Sequence, residues 1–175
     1  MDLRELKEIF NDTIKYILIA IGIIVIVIYV ISLQQVVGPS MRPTLNNGEI
    51  LLLNKFIYHF KEPKRNDIIA FAYEDTKYLI KRVIGLPGEN VEYNDNVLYI
   101  NGEPYIEKIV EGMITEDFTL KELGYNTIPK DMYLVLGDNR GDSLDSRNFG
   151  LITKKDIIGK PFLRIWPLNE FKVIK

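Results

Sequence analysis

Cysteine is absent from the 175 residues and histidine occurs once, at His59. That removes thiol nucleophiles, disulfides, Cys-ligated zinc or iron-sulfur centres and any His-rich metal site. What remains for covalent chemistry is a hydroxyl nucleophile served by a base, and the base must be His59, a carboxylate, or a lysine that has lost its proton. Three segments concentrate the residue types this needs: Gly38–Leu45 (GPSMRPTL), Tyr78–Glu89 (YLIKRVIGLPGE) and Gly137–Arg147 (GDNRGDSLDSR).

Taken alone, each segment has an ordinary structural reading. Ser40 sits between two prolines, as a turn serine does; Arg42 spoils the G-x-S-x-G elbow and Pro43 spoils S-x-x-K. Lys81 and Arg82 lie in a strand-like run with apolar neighbours on both faces, so period two does not decide which points inward. Arginine stays charged in any environment whereas a buried lysine can be neutral, so a base in this pair must be Lys81. The rival is a lysine whose stem covers apolar surface while its tip reaches water. In the third segment Asp138, Asp142 and Asp145 suggest calcium, but Arg140 and Ser143 stand where an EF-hand needs a ligand and a glycine. Arg140-Gly141-Asp142 spells an integrin-binding tripeptide and is treated as coincidence. A rigid polar loop, with Asp145 and Arg147 paired and Ser143 free to hydrogen-bond a neighbour, fits more simply.

These segments need elements to hold them. Tyr16–Leu33 is an uncharged run of 18 residues, long enough to span a bilayer and apolar on all sides. A cleaved secretory signal has a shorter apolar core and small residues at its cleavage site, where Val36 and Val37 stand here. Arg4, Lys7 and Lys15 precede the run and only Arg42 follows closely, so the N-terminus is expected inside and the rest outside. The expected organisation is a cytoplasmic segment (1–15), a transmembrane helix (16–33) and an extracytoplasmic catalytic domain (34–175) in a plasma membrane. Ser40 follows Leu33 by seven positions, close to the outer membrane surface.

The outer part holds all eight prolines and eleven of the twelve glycines, without repeat or linker, as one turn-rich domain would. Short apolar runs bounded by turn residues predict strands at Glu49–Lys55, Asp67–Tyr73, Lys77–Ile84, Asn96–Ile100, Met132–Leu136 and Ile157–Ile165, with Asn101-Gly102 as a hairpin turn. Thr119–Gly124 has room for one or two helical turns. The fold class is therefore mainly β, barrel or open sheet. With 22 basic against 24 acidic residues there is no global basic excess for nucleic acid.

The three segments, with Asn66-Asp67-Ile68-Ile69-Ala70-Phe71 between the first two, together resemble the type I signal peptidases, membrane-bound serine proteases with a Ser-Lys dyad. In order they look like that family's serine box, strand box, lysine box and GDN-x-x-x-S-x-D-S-R box. The resemblance implies a signal-peptidase-like antiparallel β domain behind one N-terminal transmembrane helix. It implies Ser40 as nucleophile, Lys81 as general base and Ser143 as the hydroxyl orienting the amine, with Asp138, Asp145 and Arg147 in support. The implied activity is removal of signal peptides from exported preproteins after small residues, the substrate bound as an extended strand, without metal or cofactor. Met41, Val36 and Ile80 are the expected pocket residues; the expected partners are signal peptides and membrane lipid. Two departures stand out. Gly38 replaces the oxyanion-binding serine of two-span members, and Asn66 replaces a glycine at a turn where asparagine tolerates positive φ. A non-catalytic, membrane-anchored β domain binding peptides or partners on the outer face is the alternative from another class. A self-cleaving repressor protease shares the dyad but not the span.

Overall fold

The computed structural model describes residues 2–74, 77–107 and 113–174. In chain order the elements are α1 (Leu3–Val30), β1 (Ile31–Gln35), β2 (Ile50–Asn54), α2 (Ile57–Phe60), β3 (Ile68–Tyr73), β4 (Lys77–Gly85), β5 (Val91–Asn94), β6 (Val97–Ile100), β7 (Glu103–Tyr105), β8 (Phe118–Thr119), β9 (Met132–Leu136), α3 (Ser146–Phe149), β10 (Ile152–Thr153), β11 (Ile157–Trp166) and β12 (Lys172–Val173).

Most of the apolar run lies in α1, which is long and apolar enough to cross a membrane and is not buried against the rest of the chain. The helix ends at Val30, so Ile31–Leu33, included in the expected span, open β1 instead. Lys55 fastens this junction: its backbone N–H donates to the Val30 carbonyl at 2.8 Å and its Nζ to the Ile28 carbonyl at 3.0 Å. A cation is well placed at the negative end of the helix dipole.

All strand pairs are antiparallel. The larger sheet runs β1-β2-β11-β3-β4-β9-β10, with β12 beside β11, and the smaller runs β7-β6-β5-β8. Strand β11 joins two halves of the larger sheet: Ile157–Gly159 pair with β3, and from Lys160 onward the strand pairs with β2. At the crossing, a Cβ on Gly159 would lie 2.5 Å from the Asn54 carbonyl oxygen, so only glycine lets β11 pass the end of β2.

The six expected strands all exist, within about two residues at their ends. Asn101-Gly102 forms the β6–β7 turn, with φ of 54° and 85° at its two central residues. Asn96 is not in a strand: with Asp95 (φ 49° and 65° for Asp95 and Asn96) it turns β5 into β6, a second two-residue hairpin of the same kind. Thr119–Gly124 folds as one turn of 3-10 helix, Leu120–Leu123, closed by Gly124 in the left-handed region. The Lys55–Arg65 segment contains α2. Phe56 and Phe60 are exposed, but Tyr58 is buried and donates its hydroxyl to Asp67.

Three apolar clusters fill the domain. One packs the small sheet (Val91, Tyr93, Leu98, Phe118) onto Ile84, Leu134 and Leu136 of the larger sheet. A second gathers Val36, Met41, Leu45, Leu51, Leu53, Ile68, Ala70 and Ile80, and a third gathers Ile69, Phe71, Val83, Tyr133 and Val135. Strand β4 contributes to all three, and its central residues are therefore covered on both faces.

Candidate active site

The loop after β1 presents Ser40. It leaves the sheet through reciprocal backbone bonds, Val36 N–H to the Glu49 carbonyl at 2.8 Å and Gly48 N–H to the Val36 carbonyl at 2.9 Å. Gly38 takes φ of 87° and its N–H donates to Asn47 Oδ1. Met41 and Leu45, each 1% exposed, pack on residues of β2, β3 and β4 and anchor the loop in the core.

Strand β4 supplies the partner. Lys81 is 2% exposed, paired through its backbone with Ile69 of β3, and its Nζ lies 2.7 Å from Ser40 Oγ and 3.1 Å from the Ile80 carbonyl oxygen. Burial pulls the amine down from 10.5 to about 8, against the opposing pull of the Asp145 and Asp138 carboxylates, which favour the ammonium. Of the two readings of this lysine, the buried one is found.

Both carboxylates are spent on arginines. Arg82, next to Lys81 and also 2% exposed, donates Nε and Nη2 to the two oxygens of the fully buried Asp138 at 2.8 and 2.7 Å, and Nη1 to the Asn66 carbonyl at 2.7 Å. Asn66 sits at φ 72°, so the asparagine does fill the turn that a glycine was expected to need. Asp145 caps α3 and takes two bonds from the Arg147 guanidinium, both at 2.9 Å, plus the Gly137 N–H at 3.1 Å. With their oxygens so engaged, these aspartates form the polar frame of a loop and not a cation cage. A buried bidentate pair is favourable only when its remaining valences are also filled, as they are here.

The 137–147 loop grips the backbone of Pro39 and Ser40. Asn139 N–H donates to the Ser40 carbonyl at 3.0 Å and its Nδ2 to the Pro39 carbonyl at 3.3 Å. Gly137 lies so close beneath that a Cβ there would strike Ser143 and sit 2.5 Å from the Ser40 carbonyl oxygen. Ser143 Oγ is buried and, among the described residues, has no hydrogen-bond partner, so its expected bond to the lysine is not made in this structure. Arg140 is buried too. Its guanidinium meets Tyr93, Thr115 and Glu107, tying the loop to the small sheet, which removes the integrin-like reading of its tripeptide.

Val36, Met41 and Ile80, the expected pocket residues, line one small hollow with Ser40, Lys81, Tyr78 and Leu79. Its volume of about 20 Å³ is room for little more than a methyl or a water. Beside it, β4 is paired with β3 over Lys77–Arg82, while β9 pairs only with Arg82, Val83 and Gly85. Among the described residues the second edge of Tyr78–Lys81 is thus left without a strand. His59 lies elsewhere, stacked on Phe56 at 4.8 Å and lining a different cleft.

Reading the residues alone missed Arg82 as Asp138's partner, Gly137 as the contact point and Arg140 as the tie between sheets. The first had a signal: two consecutive cations in a run apolar on both faces cannot both reach water, and a buried guanidinium requires a carboxylate. The other two depend on contacts between distant segments.

The family model for "Signal peptidase, peptidase S26" matches residues 10–166. Signal peptidase I of Bacillus caldolyticus is 41% identical over 153 residues, covering 82% of this chain and 84% of that protein. Signal peptidase IB of Staphylococcus aureus (strain N315) is 40% identical over 170 residues, covering 88% of this chain and 89% of that protein. The crystal structure of a signal peptidase I from Enterococcus faecalis V583 is 42% identical with a TM-score of 0.53, covering 57% of this chain and 97% of that one.

Proposed function

The chain belongs to the signal peptidases of family S26, serine-type peptidases that remove signal peptides, and we propose that it does so with Ser40 as nucleophile and Lys81 as general base, cutting after small residues. The observation that carries this reading is the 2.7 Å contact between Lys81 Nζ and Ser40 Oγ, made by a lysine whose amine burial pulls down to about 8.

In the neutral amine form Lys81 accepts the Ser40 hydroxyl proton as Oγ attacks the scissile carbonyl carbon. The Ser40 backbone N–H is the donor proposed for the oxyanion. When the tetrahedral intermediate collapses, the C–N bond breaks and the lysine ammonium hands its proton to the departing amine, leaving an ester on Ser40. A water that gives its proton to Lys81 then attacks the ester, and the proton returns to Ser40 Oγ as the signal peptide leaves.

Small-residue selectivity follows from the narrow hollow walled by Val36, Met41 and Ile80, which excludes larger side chains sterically. An extended substrate would add beside the open edge of Tyr78–Lys81, exchanging backbone bonds there and placing alternate side chains toward the hollow. Ser143 is assigned to steadying the lysine once substrate has dried the site, and Asp138, Asp145 and Arg147 to framing the loop.

Helix α1 is proposed as a single membrane span at the plasma membrane, N-terminus inside, with the region from residue 34 onward as the extracytoplasmic catalytic domain. The charge asymmetry around α1 supports the orientation, and its unburied apolar surface supports the span. The test is incubation of the full chain with a preprotein whose signal ends in Ala-x-Ala, followed by N-terminal sequencing. The wild type should release mature protein beginning just after that motif and Ser40→Ala should not; equal cleavage by both would refute the assignment.

A further inference from the structure

A cleft of about 390 Å³, which shares no lining residue with the hollow beside Ser40, lies between α2 and the Lys154–Asp156 turn. Lys55, His59, Lys154 and Lys155 line it, with Asp131 the acidic group facing them. Lys154 is drawn toward Glu62 at 2.6 Å, and the Tyr58 hydroxyl is taken by Asp67, so neither is fully available. Lys55 and Lys155 have no ion-pair partner among the described residues, and they leave the cleft with cationic charge that the protein does not neutralise.

The cleft's position says what would meet that charge. Lys55 is bonded to the last turn of α1 through both its backbone and its side chain, so the cleft sits level with the point where the apolar helix ends. Exposed Phe56 stacks on His59 of the lining, with exposed Phe60 5.4 Å from it between ring centroids. Aromatic rings and lysines at the end of an apolar helix occupy the depth of the phosphate layer. We propose that this cleft binds the phosphate of an anionic phospholipid headgroup, with Lys55 and Lys155 as its principal cations and Phe56 and Phe60 resting among the adjoining acyl chains. The proposal rests on α1 being a membrane span. It gives the catalytic domain a second point of attachment, which limits its rotation about the Val30–Ile31 junction.

The experiment is native mass spectrometry of the full chain from micelles containing either phosphatidylglycerol or phosphatidylcholine. The wild type should retain phosphatidylglycerol over phosphatidylcholine. Lys155→Glu should lower that retention by about fivefold or more, as expected for each basic group facing an anionic lipid; Lys55→Gln, a second variant at the other side of the cleft, should lower it by a similar factor. Equal retention of the two lipids, or retention unchanged in both variants, would overturn the proposal. Displacement of the lipid by excess inorganic phosphate would assign the cleft to free phosphate and overturn it as well. Cleavage of a short soluble peptide, followed in parallel, should be the same in wild type and both variants. That readout judges the peptidase assignment separately: a wild type that binds the lipid but cuts no peptide refutes the peptidase and leaves the lipid site standing.

Discussion

Lys81 must be neutral to accept a proton, and its environment sets the pH at which that happens. With the amine at about 8, roughly one-tenth of the molecules carry the free base at pH 7, half at pH 8 and nine-tenths at pH 9. The rate of peptide cleavage should therefore climb about fivefold from pH 7 to 8 and less than twofold from pH 8 to 9. The perturbation that probes this is Arg147→Ala. It strips Asp145 of its guanidinium while leaving a carboxylate that favours the ammonium form of Lys81. A newly unpaired charge nearby is enough to carry the midpoint from about 8 to about 9, which costs about tenfold in rate at pH 7 and is largely recovered at pH 10. Loop damage alone would lower activity equally at every pH. The assay is kcat/KM for a soluble peptide from pH 6.5 to 10.5 with the full chain in detergent. A rising limb centred at 6.5, or one that Arg147→Ala lowers without displacing, would refute the reasoning. Stability follows from the same amine. Below pH 8 both folded and unfolded chains hold the Lys81 proton, and the folded one bears the burial of that charge, about 3 kcal/mol for the fall from 10.5 to about 8. Between 8 and 10.5 the unfolded chain binds more protons, so stability rises across that window and the penalty is gone above it. Lys81→Met should accordingly be more stable than wild type at pH 7 and lose that advantage toward pH 10.5, as denaturant titrations at the two pH values would show.

Three further outcomes follow. His59→Ala should retain most peptide cleavage, because the ring stacks on Phe56 and lines a cleft apart from Ser40; loss of activity would restore a histidine mechanism. Gly137→Ala should reduce kcat by about a hundredfold with KM little changed, since the new methyl displaces the Ser40 backbone by a fraction of an ångström to an ångström; near-normal kcat would mean the loop yields at no cost. Deleting residues 1–29 should leave soluble-peptide cleavage intact and weaken cleavage of membrane-embedded preproteins. The cut falls before β1 because removal through residue 33 would strip three of the five residues that pair with β2; equal slowing on both substrates would mean that α1 serves the fold and not positioning.

The parts of this architecture that could be read from sequence are those governed by local rules. Asn101-Gly102 turns a hairpin because both residues accept positive φ, and Met132–Leu136 is a strand because turn residues bracket an apolar run. The weak strands escaped notice for equally physical reasons. Strand β1 continues an apolar helix without a break in composition, and β7, β8, β10 and β12 are two or three residues long, too short for alternation to register. The crossing of β11 between β3 and β2 depends on Gly159 meeting Asn54 more than a hundred residues away in the chain. At the site, residue chemistry narrowed the base to a few candidates, and family resemblance named Ser40, Lys81 and the 137–147 loop. Which arginine neutralises which aspartate emerged only from the packing, because Arg82 and Asp138 are brought together by the β4–β9 pairing.

The central claim is that Lys81, its amine pulled down to about 8 by burial, is the base held against Ser40. The most direct measurement is NMR titration of the lysine side chains in the full chain labelled with 13C-lysine, with Lys81→Met identifying the resonance. One lysine should titrate with a midpoint near 8, coincide with the rising limb of kcat/KM, and vanish in the variant. A Lys81 resonance that stays protonated beyond pH 10 while cleavage proceeds at full rate at pH 8 would contradict the account.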